Sequence, residues 1–442
     1  MKMKRNLLAL LLAACCLLCT GSLTAGAAAP DTPTDPAHTI LRWSLQLGKS
    51  YADAPSVPAY ADGCIYITSK TTLYKLDAAD GSILQTAATA ADNGYATKPV
   101  CIADGTVFCP LEDGTVQAFD AQTLAPLWTA VAPHGGQPVT EIVYAAGCVY
   151  TGFWNDVAED ADFVCLDAAT GALRWSVTRV GGFYGSGAAV ENGRVYFGGD
   201  TGTGLADGKG RFECRDAATG QLLDSLTVSG DVRCTPALDA HTLYFPTKAG
   251  LLYKVELTRS GTFYQAQTLE LGGASTATPA LADGKLYLGV QASGFGGVLA
   301  VIDIARFALL RTVETPGYPA CAPLALAQGD GKANVYFTCN TPPGALYLVT
   351  DGPDAADAAV TLFTPPEGAR NYCLSPVAPG DDGTLFYKND SGYVFAVTVG
   401  DPAAPETPEE PEEPDPPAPT LWQRIIAWFR GVFAFFAGLF SR

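Results

Sequence analysis

Eight times along this chain a reversal is followed by one residue of any kind, an aliphatic residue and an aromatic one. Six copies carry the turn glycine: Gly63-Cys-Ile-Tyr66, Gly105-Thr-Val-Phe108, Gly147-Cys-Val-Tyr150, Gly193-Arg-Val-Tyr196, Gly284-Lys-Leu-Tyr287 and Gly383-Thr-Leu-Phe386. Two are degenerate, His241-Thr-Leu-Tyr244 and Ala333-Asn-Val-Tyr336, and successive aromatic positions lie 42 to 50 residues apart. A unit of that size cannot bury its own apolar face. It must stack on its neighbours, so the repeat restricts the chain to a propeller or a solenoid. The composition agrees, with 47 Gly, 31 Pro, only 2 Met and 16% charged residues, while 48% apolar content excludes disorder throughout.

Within each unit the pattern decomposes into strands. A small-residue strand (Pro-Ala-Leu at 236–238 and 279–281) leads through the turn to the aliphatic-aromatic strand. Asp62-Gly63, Asp104-Gly105, Asn192-Gly193 and Asp283-Gly284 are hairpin dipeptides suited to positive φ. A third strand ends in Asp and often Gly, as in LYKLDAADG at 73–81 and FVCLDAATG at 163–171, where the Asp can bond its own turn. A fourth strand follows, such as 173–177. Four antiparallel strands in about 45 residues make one blade of a β-propeller. The eighth unit meets a Pro-rich stretch after Tyr393–Val397 without a fourth strand, whereas 39–47 carries the fourth-strand pattern, Trp43 included, ahead of the first unit. The expected fold is therefore an all-β, eight-bladed β-propeller over 38–400, with the N-terminal strand closing the last blade and removing the free edges.

The two ends read differently. Residues 1–27 run from Lys2, Lys4 and Arg5 through an apolar core to Ala25-Gly26-Ala27, the form of a secretory signal peptide. Leu12-Ala13-Ala14-Cys15 also matches a bacterial lipobox, an alternative in which Cys15 is lipidated, but the apolar run continues past it. Either reading exports the chain to the extracellular or cell-surface side. Residues 401–419 are a Pro/Glu-rich linker, stiffened by proline and by repulsion between acids. Residues 420–442 are expected to form one C-terminal amphipathic helix. Trp422, Ile425, Ile426, Phe429, Phe433, Phe436 and Phe440 cover most of its surface and are its membrane-contact residues. Arg430 interrupts a run that would need about 20 apolar residues to span a bilayer. An interfacial position is the expectation, with docking on the propeller or on a partner groove as the other reading.

The net charge is −18, most of it on the repeat body, which argues against a nucleic-acid partner. Ten cysteines follow the signal, scattered through the repeats at positions where other copies carry Ala or Val; Cys165 and Cys214 align with Ala118 and Val301. They are expected to be small buried apolar residues, with no disulfide framework. Beyond the signal no CxxC occurs, the chain has no HExxH or P-loop, and with three His in total a zinc site has little support.

The aromatic second strand, the Asp-Ala-Ala-Thr-Gly turn and the Trp of the fourth strand resemble the pyrroloquinoline-quinone (PQQ) repeat propellers. These include quinoprotein alcohol dehydrogenases and the propeller lipoprotein of the bacterial outer-membrane barrel-assembly machinery. The pattern is partly degraded: Trp remains in the fourth strand only at Trp43, Trp128 and Trp175, and Glu256 and Thr350 replace the turn Asp. The resemblance implies that an enzymatic member would hold PQQ between a Trp floor and a disulfide of adjacent cysteines, with Ca²⁺ on Glu, Asn and Asp. Here the only adjacent cysteines are Cys15 and Cys16, inside the signal. The expectation is a non-catalytic member that uses no cofactor, a binding or assembly scaffold for a protein, peptide or glycan. A quinoprotein-like oxidoreductase using PQQ and calcium is the alternative.

Candidate binding residues lie in the connections that lead from one blade to the next. Tyr51, Tyr95, Tyr184, Tyr318 and Tyr372 fall there, as do the bases Lys49, Lys98, Arg179, Arg233 and Arg370. In a propeller these connections surround the mouth of the channel. Tyr51, Tyr95, Lys98, Tyr184, Arg233, Tyr318, Arg370 and Tyr372 are the expected site, set against the reading that the rings wedge between blades and the bases pair with nearby acids. Two insertions, 153–162 and 198–210, belong to the same face. The acids Asp156, Glu159, Asp160 and Asp162 offer oxygen ligands for Ca²⁺ or simply a solvated loop, and their spacing matches no established calcium loop.

Overall fold

The computed structural model describes residues 31–401, apart from 96, 203–207, 293, 295, 354, 356 and 357. The expected signal, the linker from 402 onward and the expected C-terminal helix with its seven membrane-contact residues lie outside the described residues. Eight four-stranded antiparallel sheets are present, each in the order first-second-third-fourth strand. Blade 1 is Ala59–Ala61, Cys64–Ser69, Thr72–Asp77 and Ile83–Ala88. Blades 2 to 7 follow at 101–131, 143–180, 189–229, 237–270, 280–315 and 324–363. Blade 8 takes Ala378–Pro379, Leu385–Lys388 and Tyr393–Val399 from the C-terminal side and Thr39–Gln46 from the N-terminal side. Thr39 pairs with Val399 and Gln46 with Tyr393, so the expected closure is present. Among the described residues no helix is long and apolar enough to cross a membrane.

The hairpin dipeptides have the backbone their residues favour. Asp62 and Gly63 lie at φ 48° and 73°, and Asn192 and Gly193 at 49° and 73°, as a type I′ turn requires. One expectation needs correction. Blade 7 was expected to turn just before Ala333, but its first hairpin is longer: Leu324–Gly329 pairs with Lys332–Thr338 and the reversal is Asp330-Gly331, at φ 54° and 73°. The turn chemistry is intact and displaced by two residues. His241 in blade 5 is a true substitution and takes φ 75° without glycine.

Each blade buries its second-strand aromatic. Tyr150, Tyr196, Tyr287, Tyr336 and Phe108 are at most 1% exposed. Eight of the ten described cysteines are buried, and Cys165 and Cys214 sit inside blade cores as small apolar groups. The blades are joined by the third-strand turn. Asp167 accepts from the amide nitrogens of Ala169 and Thr170 and from the Thr170 hydroxyl, and Asp216 repeats the arrangement with Ala218 and Thr219. Arg174 and then Thr170 hold the Asp167 carboxyl down at about 2.

The tryptophans latch onto these turns from the preceding blade. Trp43 donates to the Ala78 carbonyl at 3.0 Å, Trp128 to Ala168 at 2.9 Å and Trp175 to Ala217 at 3.0 Å. Each indole lies on the turn glycine, so a Cβ on Gly81, Gly171 or Gly220 would come within 2.5–2.7 Å of it. Where Trp is missing, other groups take its place. Tyr66 and Lys75 both bond the Ala121 carbonyl. In blade 7 the acid moves one residue, from Thr350 to Asp351. Asp351 then turns inward to accept Lys285, Tyr287 and Arg311 from blade 6.

Candidate functional site

The inter-blade connections and the second-to-third-strand turns share one face of a propeller. Here they build a pocket of about 490 Å³. Tyr51 comes from the blade 8–1 connection, Asp92 and Tyr95 from 1–2, Gln137 from 2–3 and Tyr184 from 3–4; Lys70, Glu112 and Trp154 come from the second-to-third-strand segments of blades 1, 2 and 3. Four consecutive connections therefore converge on one cavity.

Three of the expected tyrosines meet there. The Tyr51 and Tyr95 rings lie 5.1 Å apart, and Trp154 meets Tyr184 edge-on at 5.4 Å. Tyr51 is 63% exposed although its backbone sits at φ 47°, a costly conformation for a bulky residue and one concentrated at functional sites. Burial, then the nearby Asp390 carboxylate, push the Tyr95 hydroxyl pKa upward, and burial does the same to Tyr184.

The bases divide. Arg233 stacks 4.6 Å over the Tyr184 ring and bonds Asp200 through two nitrogens, at 2.9 and 2.6 Å. Burial pushes the Asp200 carboxyl up to about 7 against the pull of Arg233. Arg179 pairs with buried Glu213. Arg370 bonds the Pro365 carbonyl in its own loop at 3.0 Å. Lys98 is half-buried, and its charge reaches both Cys234 and Cys321, which offsets part of the effect of their burial. Deeper, Lys388 and Asp390 form a buried pair at 3.1 Å whose charges also reach Cys321.

The other two tyrosines stand apart from this cavity. Tyr318 accepts from the Thr276 amide at 2.7 Å and ties one connection to the next, the wedge arrangement. Tyr372 is 47% exposed, in the connection that enters blade 8. Within the acidic insertion, Asp162 is buried and accepts His134 and Thr178, so it is spent inside blade 3. Among the described residues no group of three or more His, Cys, Asp or Glu side chains converges as a metal site would require.

Sequence reasoning missed Lys70, Asp92, Glu112, Gln137 and Trp154. Trp154 lay in an insertion noted only for its acids; Lys70 and Glu112 come from short turns with no unusual composition, and Asp92 and Gln137 from connections read only for their tyrosines and bases.

Residues 34–159 and 159–306 each match the family model described as outer membrane protein assembly factor BamB. The chain belongs to this family of PQQ-like propellers. No curated protein sequence matches it. Among solved structures, BamB from Moraxella catarrhalis is similar at 16% identity and a TM-score of 0.57, over 82% of this chain and all of that one. The quinohemoprotein alcohol dehydrogenase from Comamonas testosteroni is similar at 14% identity and a TM-score of 0.62, over 83% of this chain and 77% of that one. Likenesses at such identities establish the propeller fold, which BamB-type assembly factors and quinone enzymes share.

Proposed function

We propose that this chain is an exported, non-catalytic propeller, tethered at a cell surface and working as a binding or assembly scaffold for a protein, peptide or glycan. The observation that carries the reading is the convergence of four consecutive connections on one aromatic-lined pocket. Membership of the BamB family, whose namesake is an assembly factor, supports it. The signal-like residues 1–27 support export, with Cys15 lipidation as the lesser route, and residues 420–442 supply an interfacial membrane tether.

The fold likeness to a quinohemoprotein dehydrogenase favours a second reading, a PQQ- and calcium-dependent oxidoreductase. The residues do not fit that group. No adjacent cysteine pair occurs in the propeller, and the buried acids Asp200 and Glu213 on the connection-loop face are taken by Arg233 and Arg179. No quinone step follows from this arrangement. Dye reduction by the full chain with added PQQ and Ca²⁺ over alcohols and sugars discriminates the two. Absence of turnover is expected; sustained turnover overturns the scaffold reading.

A further inference from the structure

The chemistry of the pocket narrows what it holds. Its volume, about 490 Å³, falls in the range of small-molecule sites, about 300–1,000 Å³. Aromatic side chains form much of its wall, and acidic and amide groups stand among them. Two polar groups are unmet. The Trp154 indole Nε1 is buried with no acceptor among the described residues. Such a donor costs about 1–3 kcal/mol when left unpaired. The Glu112 carboxylate receives no side-chain or backbone donor among the described residues. Burial, then repulsion from Asp92 and Asp113, raise its pKa against a smaller pull from the Lys70 charge.

An occupant must therefore supply an acceptor to Trp154 and a donor to Glu112 while presenting a flat apolar face to tyrosine rings. An ammonium or guanidinium group offers donors alone and leaves the indole N–H unmet. The one cation among the described residues of the wall, Lys70, is paired with Asp53 and lies 3.8 Å from Asp92; a carboxylate or phosphate ligand offers acceptors but meets Asp92, Glu112 and a chain of net charge −18. A hydrocarbon satisfies neither group. A hydroxyl is both donor and acceptor. The C–H face of a sugar ring also lies well against an aromatic face, whose quadrupole is negative at its centre.

We infer that this pocket is a binding subsite for a neutral saccharide, one or two rings long, stacked on the Tyr51–Tyr95 wall with hydroxyls bonded to Trp154 Nε1 and the Glu112 carboxylate. The inference rests on the scaffold reading and names its ligand class. Exposed Tyr51, held at φ 47° against Tyr95, is the stacking platform. Gln137 and Asp92 select among ring hydroxyls.

The test uses the full chain, titrated by calorimetry and saturation-transfer NMR with cellobiose, maltose, N,N′-diacetylchitobiose and methyl β-glucoside. N-acetyl-arginine amide serves as the cationic comparison. At least one saccharide is expected to bind. Trp154→Phe keeps a ring and removes the N–H, and Glu112→Gln removes the anion; each is expected to weaken that saccharide about tenfold, and Tyr95→Ala to abolish binding, all three with unchanged melting midpoints. Equal binding by wild type and all three variants overturns the assignment, as does binding of the arginine amide with no saccharide bound. If no saccharide binds while the full chain still captures cell-surface material through Tyr95 and Lys98, the saccharide assignment falls and the scaffold reading stands. If neither binds, both fall.

Discussion

The indole Nε1 of Trp175 in blade 3 donates to the carbonyl oxygen of Ala217 in blade 4, at 3.0 Å, and its ring lies flat on Gly220 of the same turn. This latch recurs from blade 2 to blade 3 and, through Trp43, from blade 8 to blade 1 across the chain termini. It explains why the third-strand turn must end in glycine where a Trp precedes it.

Gly220 has φ 71°, and an added Cβ would lie 2.7 Å from the Trp175 ring. Gly220→Ala is therefore expected to destabilise by about 1–3 kcal/mol, and Trp175→Ala by about 3 kcal/mol or more through the lost ring. Thermal or urea denaturation measures both. Gly63→Ala is the comparison: its Cβ meets nothing within 4 Å and only the φ strain remains, so it should cost less.

Removing residues 38–48 strips blade 8 of its outer strand, which pairs from Thr39 to Gln46, and breaks the Trp43 latch. It leaves an unpaired edge on Tyr393–Val399, a template for association. Aggregation or a large fall in melting temperature is expected by light scattering and calorimetry. An unchanged melting curve means that the ring closes elsewhere.

Two buried carboxyls respond to pH with opposite sign. Asp200 is raised to about 7, so its proton favours the folded state: that contribution is full below about pH 4 and is lost as the pH rises through about 7. Burial acts to raise Asp351 too, but Lys285, Arg311 and Tyr287 overcome it and hold the carboxyl below its ordinary value. Its contribution is present above about pH 4 and lost as the pH falls further. Asp200→Asn should flatten the stability profile between pH 4 and 7. Asp351→Asn, which leaves two cations short of a partner, should cost about 3 kcal/mol at neutral pH. Equilibrium unfolding across that range checks both.

The propeller, its blade count and its closure were legible because they follow from local turn chemistry repeated at one period. Asp62-Gly63 and Asn192-Gly193 reverse the chain wherever they stand. The blade 7 turn was misplaced because the aromatic Tyr336 was aligned to the repeat while its hairpin had grown by two residues. The site was half legible. Tyr51, Tyr95 and Tyr184 announce themselves as aromatics in connections, but their separation from Tyr318 depends on which way each loop folds. Arg233 looked available because its partner, Asp200, lies in an insertion more than 30 residues away. Trp154 and Glu112 are set by neighbouring blades, and pairing between blades leaves no periodic trace.

Residues 420–442 are expected to hold the protein at an anionic membrane surface, with Trp422 and Trp428 suited to the headgroup region and Arg424, Arg430 and Arg442 reaching anionic lipid. Flotation with anionic liposomes, with and without these residues, reads this out. The full-length protein should rise and the truncated one remain below; equal behaviour of the two contradicts the tether.

The central claim is that the connection-loop face binds a partner. Its most direct measurement is capture of cell-surface glycans and proteins by the full chain and by the Tyr95→Ala/Lys98→Ala double variant, with melting curves recorded for both. The account predicts that the double variant loses the captured ligand and keeps its melting midpoint. Undiminished capture by a double variant that melts early would contradict it, because Tyr95 and Lys98 would then serve only to wedge the blades together.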